Sequence, residues 1–183
     1  MYRHLLIAAA SAVALSACGQ QATTTTEAPP AVEPAAPAPA QMSDADFVNA
    51  VGHATAFEIQ SSQLAPRHAS RADVKTFAAM MVRDHTAAGA QLTALAPTLN
   101  LPAPPSDLDP AMTDQVATLT AANGAAFDTA YINAQVTAHQ QAVTLFENYV
   151  AGAPAGPLKD WANTTLPTLR THLQNVQALQ TAG

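Results

Sequence analysis

Four long stretches between Asp44 and Leu179 repeat apolar residues at three- and four-residue spacing, and the unequal connections between them constrain the fold more than any other feature. In the first, Phe47, Val51, Ala54, Phe57 and Leu64 share one side of a helix at about 100° per residue. Ser43 with Asp46 three positions on marks its start, because a serine oxygen and a first-turn acid both suit unpaired N–H groups. The second stretch follows Ser70-Arg71-Ala72-Asp73, read as a box of the same kind. It carries Val74, Phe77, Met81, Ala88, Leu92, Leu95 and Leu99, with Lys75 and Arg83 off the stripe. The third, roughly 125–150, places Phe127, Tyr131, Val136, Val143, Phe146 and Tyr149 inward. The fourth begins after Ala153-Pro154-Ala155-Gly156-Pro157 and carries Leu158, Trp161, Leu166, Leu169, Leu173, Val176 and Leu179, with Pro167 expected to bend it.

The first and second stretches, and the third and fourth, are joined by only a few residues, so each pair forms an antiparallel hairpin. The middle connection takes about 25 residues, with four prolines between Asn100 and Pro110 and then a short helix over Ala111–Ala122 before Asn123-Gly124. A long crossover between two hairpins predicts an all-α, ferritin-like four-helix bundle. A weak echo between Val74-Lys75-Thr76-Phe77-Ala78 and Leu158-Lys159-Asp160-Trp161-Ala162 fits two related hairpins.

The N-terminal segment carries no fold of its own. Residues 1–17 show a basic start at Arg3 and His4, an apolar run from Leu5 to Leu15 and then small residues, the layout of a cleaved signal peptide rather than a membrane span. Leu15-Ser16-Ala17-Cys18 resembles the lipobox of bacterial lipoproteins, which implies cleavage before Cys18 and its acylation, palmitate included. Gly19 rather than Asp follows, so the resemblance implies an outer-membrane lipoprotein with its domain in the periplasm or at the cell surface. Residues 18–42, rich in Ala, Pro and Thr, have too few large apolar side chains to offset ordering entropy and read as a disordered tether to the functional domain, 43–183. A formal charge of -6, from seven Lys+Arg against 13 Asp+Glu, argues against a nucleic-acid partner. The single Cys excludes an intramolecular disulfide and a CxxC redox pair, and no GxSxG or phosphate-binding Gly loop occurs.

Chemistry concentrates on a few polar residues that fall on or near the apolar stripes. Glu58 lies within the arc of Phe47, Val51 and Ala54, His85 between Met81 and Ala88, Gln135 and His139 beside the apolar centre of the third stretch, and His172 at the margin of the fourth. Counting from the hairpin turn sets Gln135, rather than His139, level with His172. Glu58 and His85 reach one level only if the first helix continues through Pro66 to about Ala69. Two readings follow. Glu58, His85, His139 and His172 could ligate Zn, Fe or Mn, with Asp84 orienting an imidazole, or they could form a buried hydrogen-bonded network with Gln135 that fixes helix register. The Glu-x-x-His element of di-iron bundles is missing, since Val82 and Leu169 stand three before His85 and His172. Asp128 reads as a first-turn acid favouring its own helix dipole and Tyr131 as core, both also counted with Asp84 and Gln135 as candidates to support the ligands or join the buried polar network. His53 and His68 read as solvated.

Phe47-Val48, Val74-Lys75-x-Phe77-Ala78, Met81-Val82-x-Asp84-His85-Thr86, Phe127-Asp128-x-x-Tyr131, Gln135-Val136-x-x-His139, Leu166-Pro167 and His172-Leu173 resemble the bacterial "domain of unknown function 4142" family over roughly residues 43–180. The resemblance implies a ferritin-like bundle in an exported protein and carries no settled activity. The family's outer-membrane label implies lipid anchoring, because no succession of alternating strands could build a barrel. The first functional reading is a non-enzymatic, lipid-anchored envelope module that binds a protein partner; the second is a metal-binding or metal-dependent bundle.

Overall fold

The computed structural model describes residues 41–182; the expected signal peptide, Cys18 and nearly all of the tether lie outside the described residues. The chain forms α1 (Asp44–Ser62), α2 (Ala65–His68), α3 (Ala72–Leu95), a 3-10 turn (Ala96–Leu99), α4 (Pro110–Ala121), α5 (Ala125–Gly152) and α6 (Pro157–Thr181). α1 packs on α3 and α5 on α6 across their short connections. The two hairpins close on each other through α3 with α6 and α1 with α5, and the crossover helix α4 rests on α1 and α5. The predicted all-α bundle of two hairpins with a long crossover is therefore the observed architecture. No helix among the described residues is long and apolar enough to cross a membrane.

Helix starts follow local chemistry in one case and tertiary chemistry in another. Ser43 caps α1 as expected: its oxygen accepts from the Asp46 N–H at 3.1 Å, and its hydroxyl donates to the Asp46 carboxylate at 2.6 Å. The expected box at Ser70 is not formed. Arg71 is the cap residue of α3 and makes no side-chain cap bond. The N–H groups of Ser70 and Arg71 donate instead to the carboxylate of Asp128 on α5, at 3.2 and 3.0 Å, and the Ser70 hydroxyl donates to it as well. Asp128, expected to serve its own helix, thus caps the neighbouring one and ties the hairpins together. Beside it the Gly124 N–H donates to the His68 carbonyl at 2.8 Å, at a backbone φ of +60° that glycine adopts without strain.

The crossover is held down in the same way. A Cβ on Gly52 would stand 2.4 Å from Pro105 Cδ, so the absent side chain lets the proline loop touch α1. His53 Nδ1–H donates to the Asp107 carbonyl at 2.9 Å, and His68 Nδ1–H to the Ala122 carbonyl at 2.9 Å. Both histidines, expected to be solvated, are half-buried anchors of the crossover.

The core has two apolar layers along the bundle. One gathers Phe47, Val51, Leu92, Phe146, Tyr149 and Trp161 at the α5–α6 turn end; the other gathers Val74, Phe77, Met81, Phe127, Tyr131 and Val176 at the opposite end. On every long helix one ionisable residue falls in the gap between the layers: Glu58, His85, His139 and His172. α6 is helical without interruption through Pro167.

Candidate metal centre

The interlayer residues are all buried, Glu58 to 3% exposure, His85 to 8%, His139 to 0% and His172 to 2%. One nitrogen from each of His85, His139 and His172 lies within 4.8 Å of the other two, and their ring centroids are 5.5 to 5.7 Å apart. α3, α5 and α6 therefore supply one imidazole each to a common point. A tetrahedral ion with bonds of about 2.0 Å sets its ligand nitrogens about 3.3 Å apart, so the rings must close by roughly 1.5 Å around one.

Counting from the turn placed Gln135, not His139, opposite His172, and the structure corrects this. Side chains tilt toward the N-terminus of their own helix. In this antiparallel pair that draws His139 away from the turn and His172 toward it, closing the offset. Gln135 faces α1 instead, its Nε2 donating to Ser61 Oγ at 3.1 Å. Glu58 reaches the level of His85 because the chain continues helically through α2 after the break at Ser62.

Hydrogen bonding sets which ring nitrogens are free. His139 Nδ1–H donates to the Gln135 carbonyl one turn back at 2.9 Å, leaving Nε2 without a proton or a partner. His172 Nε2–H donates to Asp84 Oδ2 at 3.0 Å, leaving Nδ1 likewise bare. His85 Nε2 has no partner. Asp84 is steadied by Arg83, whose Nε donates to its other oxygen at 2.8 Å. A carboxylate behind an imidazole fixes its tautomer and raises its basicity as a ligand.

Charge in the layer is suppressed. Burial pushes His85 down to about 3, with His139 and His172 adding to the effect. Burial takes His139 to about 4 against the backbone hydrogen bond to Gln135, and it lowers His172 against the pull of Asp84. Burial raises Glu58 to about 8, opposed by the Gln135 amide. For Asp84 burial raises the value, but the hydrogen bonds from Arg83 and His172 outweigh it and hold the carboxyl below its ordinary range. Near pH 7 the layer therefore presents three neutral imidazoles and a largely protonated Glu58.

Glu58 stands apart from the point of convergence. Its Oε1 is 3.5 Å from His139 Nδ1, the ring nitrogen already used, and its Oε2 has no partner. Toward α2 the contact of α1 with α5 continues as a ladder, with Ser61 to Gln135 and then Ser62 Oγ to Tyr131 at 2.7 Å. Burial, with a smaller opposing effect from Ser62, raises the Tyr131 phenol further above its ordinary value. Sequence reasoning missed Ser61 and Ser62; their position three and four residues beyond Glu58 was the available signal. Asp128 belongs to the hairpin junction and not to this site. A cavity of about 50 Å³ lies against the centre, with Glu58, Asp84, His85 and His172 among its lining beside Ala142, Leu145, Phe146 and Trp161.

Fold and geometry together define an all-α bundle protein with a buried three-histidine centre between two apolar layers. The chain belongs to the family described as Domain of unknown function (DUF4142), which it matches over residues 29–179. That match begins inside the segment read as a tether. The fold is also similar to a solved structure, CopM in the Cu(II)-bound form, at a TM-score of 0.65 and 16% identity, covering 79% of this chain and 100% of that one. No curated protein matches significantly.

Proposed function

We propose that the domain binds one transition-metal ion between His85, His139 and His172, with copper the first ion to test. The observation that carries this reading is where unsatisfied polarity lies. Among the described residues, the buried side-chain atoms without a hydrogen-bond partner are Glu58 Oε2, His85 Nε2, Gln135 Oε1, His139 Nε2 and His172 Nδ1. Four of the five belong to this layer, and Gln135 lies one helical turn before His139. Folded proteins pair such atoms with water, an ion or each other, and a cation among three neutral imidazoles would satisfy three of the five at once. The expectation of Zn, Fe or Mn widens to copper because imidazole suits it and divalent copper tops the affinity order. The shared fold with a Cu(II)-bound protein supports the same choice.

Metal content and Cu(II) titration of the tag-free full chain test the proposal. One equivalent retained by the parent and lost in both His85→Ala and His139→Ala is the expected result. Absence of uptake, or uptake unchanged in the variants, overturns it. The proposal keeps the lipid anchor at Cys18 and an outer-membrane location, which place this centre in the cell envelope. Loss of labelled palmitate from the Cys18→Ser chain is the corresponding test.

A further inference from the structure

We infer that an ion at this centre keeps a coordination position open toward the adjoining cavity, filled there by a small exogenous ligand of two or three atoms, with Glu58 as its hydrogen-bond partner. The inference rests on the metal reading above and deepens it. Three imidazoles supply three ligands, and neither nearby carboxylate completes the set. Asp84 is engaged on both oxygens, by Arg83 and by His172. Glu58 approaches His139 from its Nδ1 edge, whereas the bare nitrogen of that ring is Nε2. A site with three protein ligands and one open position is the pattern of metals that accept a ligand from solution.

The cavity defines the class of ligand. His85, His172 and Glu58 line it together with three threonines, Trp161 and a majority of apolar side chains that include Ala142, Leu145 and Phe146. A volume of about 50 Å³ admits a few water-sized atoms. Glu58 Oε2 is the unpartnered polar atom on a residue lining that space, apart from the imidazole nitrogens themselves. A carboxyl so placed hydrogen-bonds to whatever occupies the fourth position, as donor when protonated and as acceptor when ionised.

Azide, a linear three-atom anion, is the probe. The Cu(II)-loaded full chain is titrated with it while its charge-transfer absorption and the copper spin-resonance spectrum are followed. Saturable binding of one azide per copper is expected. Ala142→Leu, which fills the cavity, and Glu58→Leu, which removes the carboxyl, should each weaken azide about tenfold or more while leaving copper stoichiometry at one. Glu58→Gln, which still offers an N–H, should recover most of the loss. Copper bound without any azide spectrum, or azide held equally well by Ala142→Leu, overturns this inference and leaves the metal reading standing. Loss of copper itself in Glu58→Leu shows that Glu58 is the fourth ligand and the site is closed, which also overturns it. A parent chain that takes up no copper overturns both.

Discussion

Stability of the metal-free domain is expected to peak near pH 6.5 and to fall on both sides, because the buried layer titrates in two opposing directions. His85 and His139 have folded values of about 3 and about 4 against an ordinary 6.5. Between pH 6.5 and 4.5 the unfolded chain therefore takes up two protons that the folded chain refuses, each costing about 1.4 kcal/mol per pH unit. Glu58 works the other way. Its folded value of about 8 against an ordinary 4.5 means that the folded chain holds a proton the unfolded chain has released over the same interval. One histidine is thus offset, and the net loss on acidification from pH 6.5 to 4.5 is about 2 kcal/mol, with His172 acting in the same direction as the other histidines. Above pH 6.5 the unfolded histidines lose the rest of their charge by about pH 7.5, which partly offsets Glu58, and beyond that Glu58 acts alone. Stability then declines by about 1 kcal/mol up to pH 8 as the unfolded chain gains from releasing the proton the folded one retains. Losses of this size are a large share of a domain's total stability of about 5 to 15 kcal/mol. Urea unfolding in the presence of a chelator at half-unit intervals from pH 4.5 to 8.5 measures the curve directly. Glu58→Gln should abolish the alkaline limb and leave the acid limb in place. A flat profile, or stability still climbing through pH 8, would refute the reasoning.

Other outcomes follow from contacts already described. Asp128→Ala leaves two backbone N–H groups and the Ser70 hydroxyl without their shared acceptor and should cost about 3 kcal/mol by chemical denaturation, whereas Asp128→Asn, which keeps one acceptor oxygen, should cost about half as much. Gly52→Ala drives a methyl into Pro105 and should destabilise the domain by about 1 to 3 kcal/mol while increasing hydrogen exchange through residues 104–109; Ala at Gly156, where a Cβ meets nothing within 4 Å, serves as the control. Asp84→Asn removes the carboxylate behind His172 and should weaken metal binding about 10- to 100-fold in a competition titration with the apo melting temperature little changed.

The architecture was legible in the sequence because connection lengths and apolar spacing report local geometry. Proline between Asn100 and Pro110 and the short run before Pro157 delimit hairpins whatever their partners do. Features decided by distant residues were not legible. Nothing near Ser70 shows that its N–H is capped from α5, and nothing near Gly52 shows that a proline loop lies on it. The pairing of Gln135 with Ser61 and of His139 with His172 depended on side-chain tilt, which counting residues from a turn ignores. The inward bearing of Glu58, His85, His139 and His172 was visible because one polar residue on an apolar stripe stands out at helical spacing. Which of their atoms would be left bare was not, since that depends on hydrogen bonds to a backbone carbonyl and to Asp84.

That last distinction separates the two readings that the sequence left open. A network that fixes helix register stabilises only when its members satisfy one another, because a partly paired buried polar group costs more than an apolar one. The toward-α2 half of the α1–α5 contact comes close to this: Ser62 meets Tyr131 and Ser61 accepts from the Gln135 amide, with Gln135 Oε1 alone left over. One turn further toward the turn end the pattern changes. Each of His139 and His172 spends one ring nitrogen on a protein acceptor and keeps a bare lone pair on the other, while His85 Nε2 between them has no partner. Two bare lone pairs compete for the one N–H that a neutral His85 has to offer, and protonation, the ordinary relief for such a cluster, is opposed by burial at each ring. Register alone needs no such arrangement, since two more serines or leucines would serve it at less cost. A cation takes up all three unpartnered nitrogens at once, and that, rather than the count of histidines, is what makes the layer a metal centre in the reading proposed.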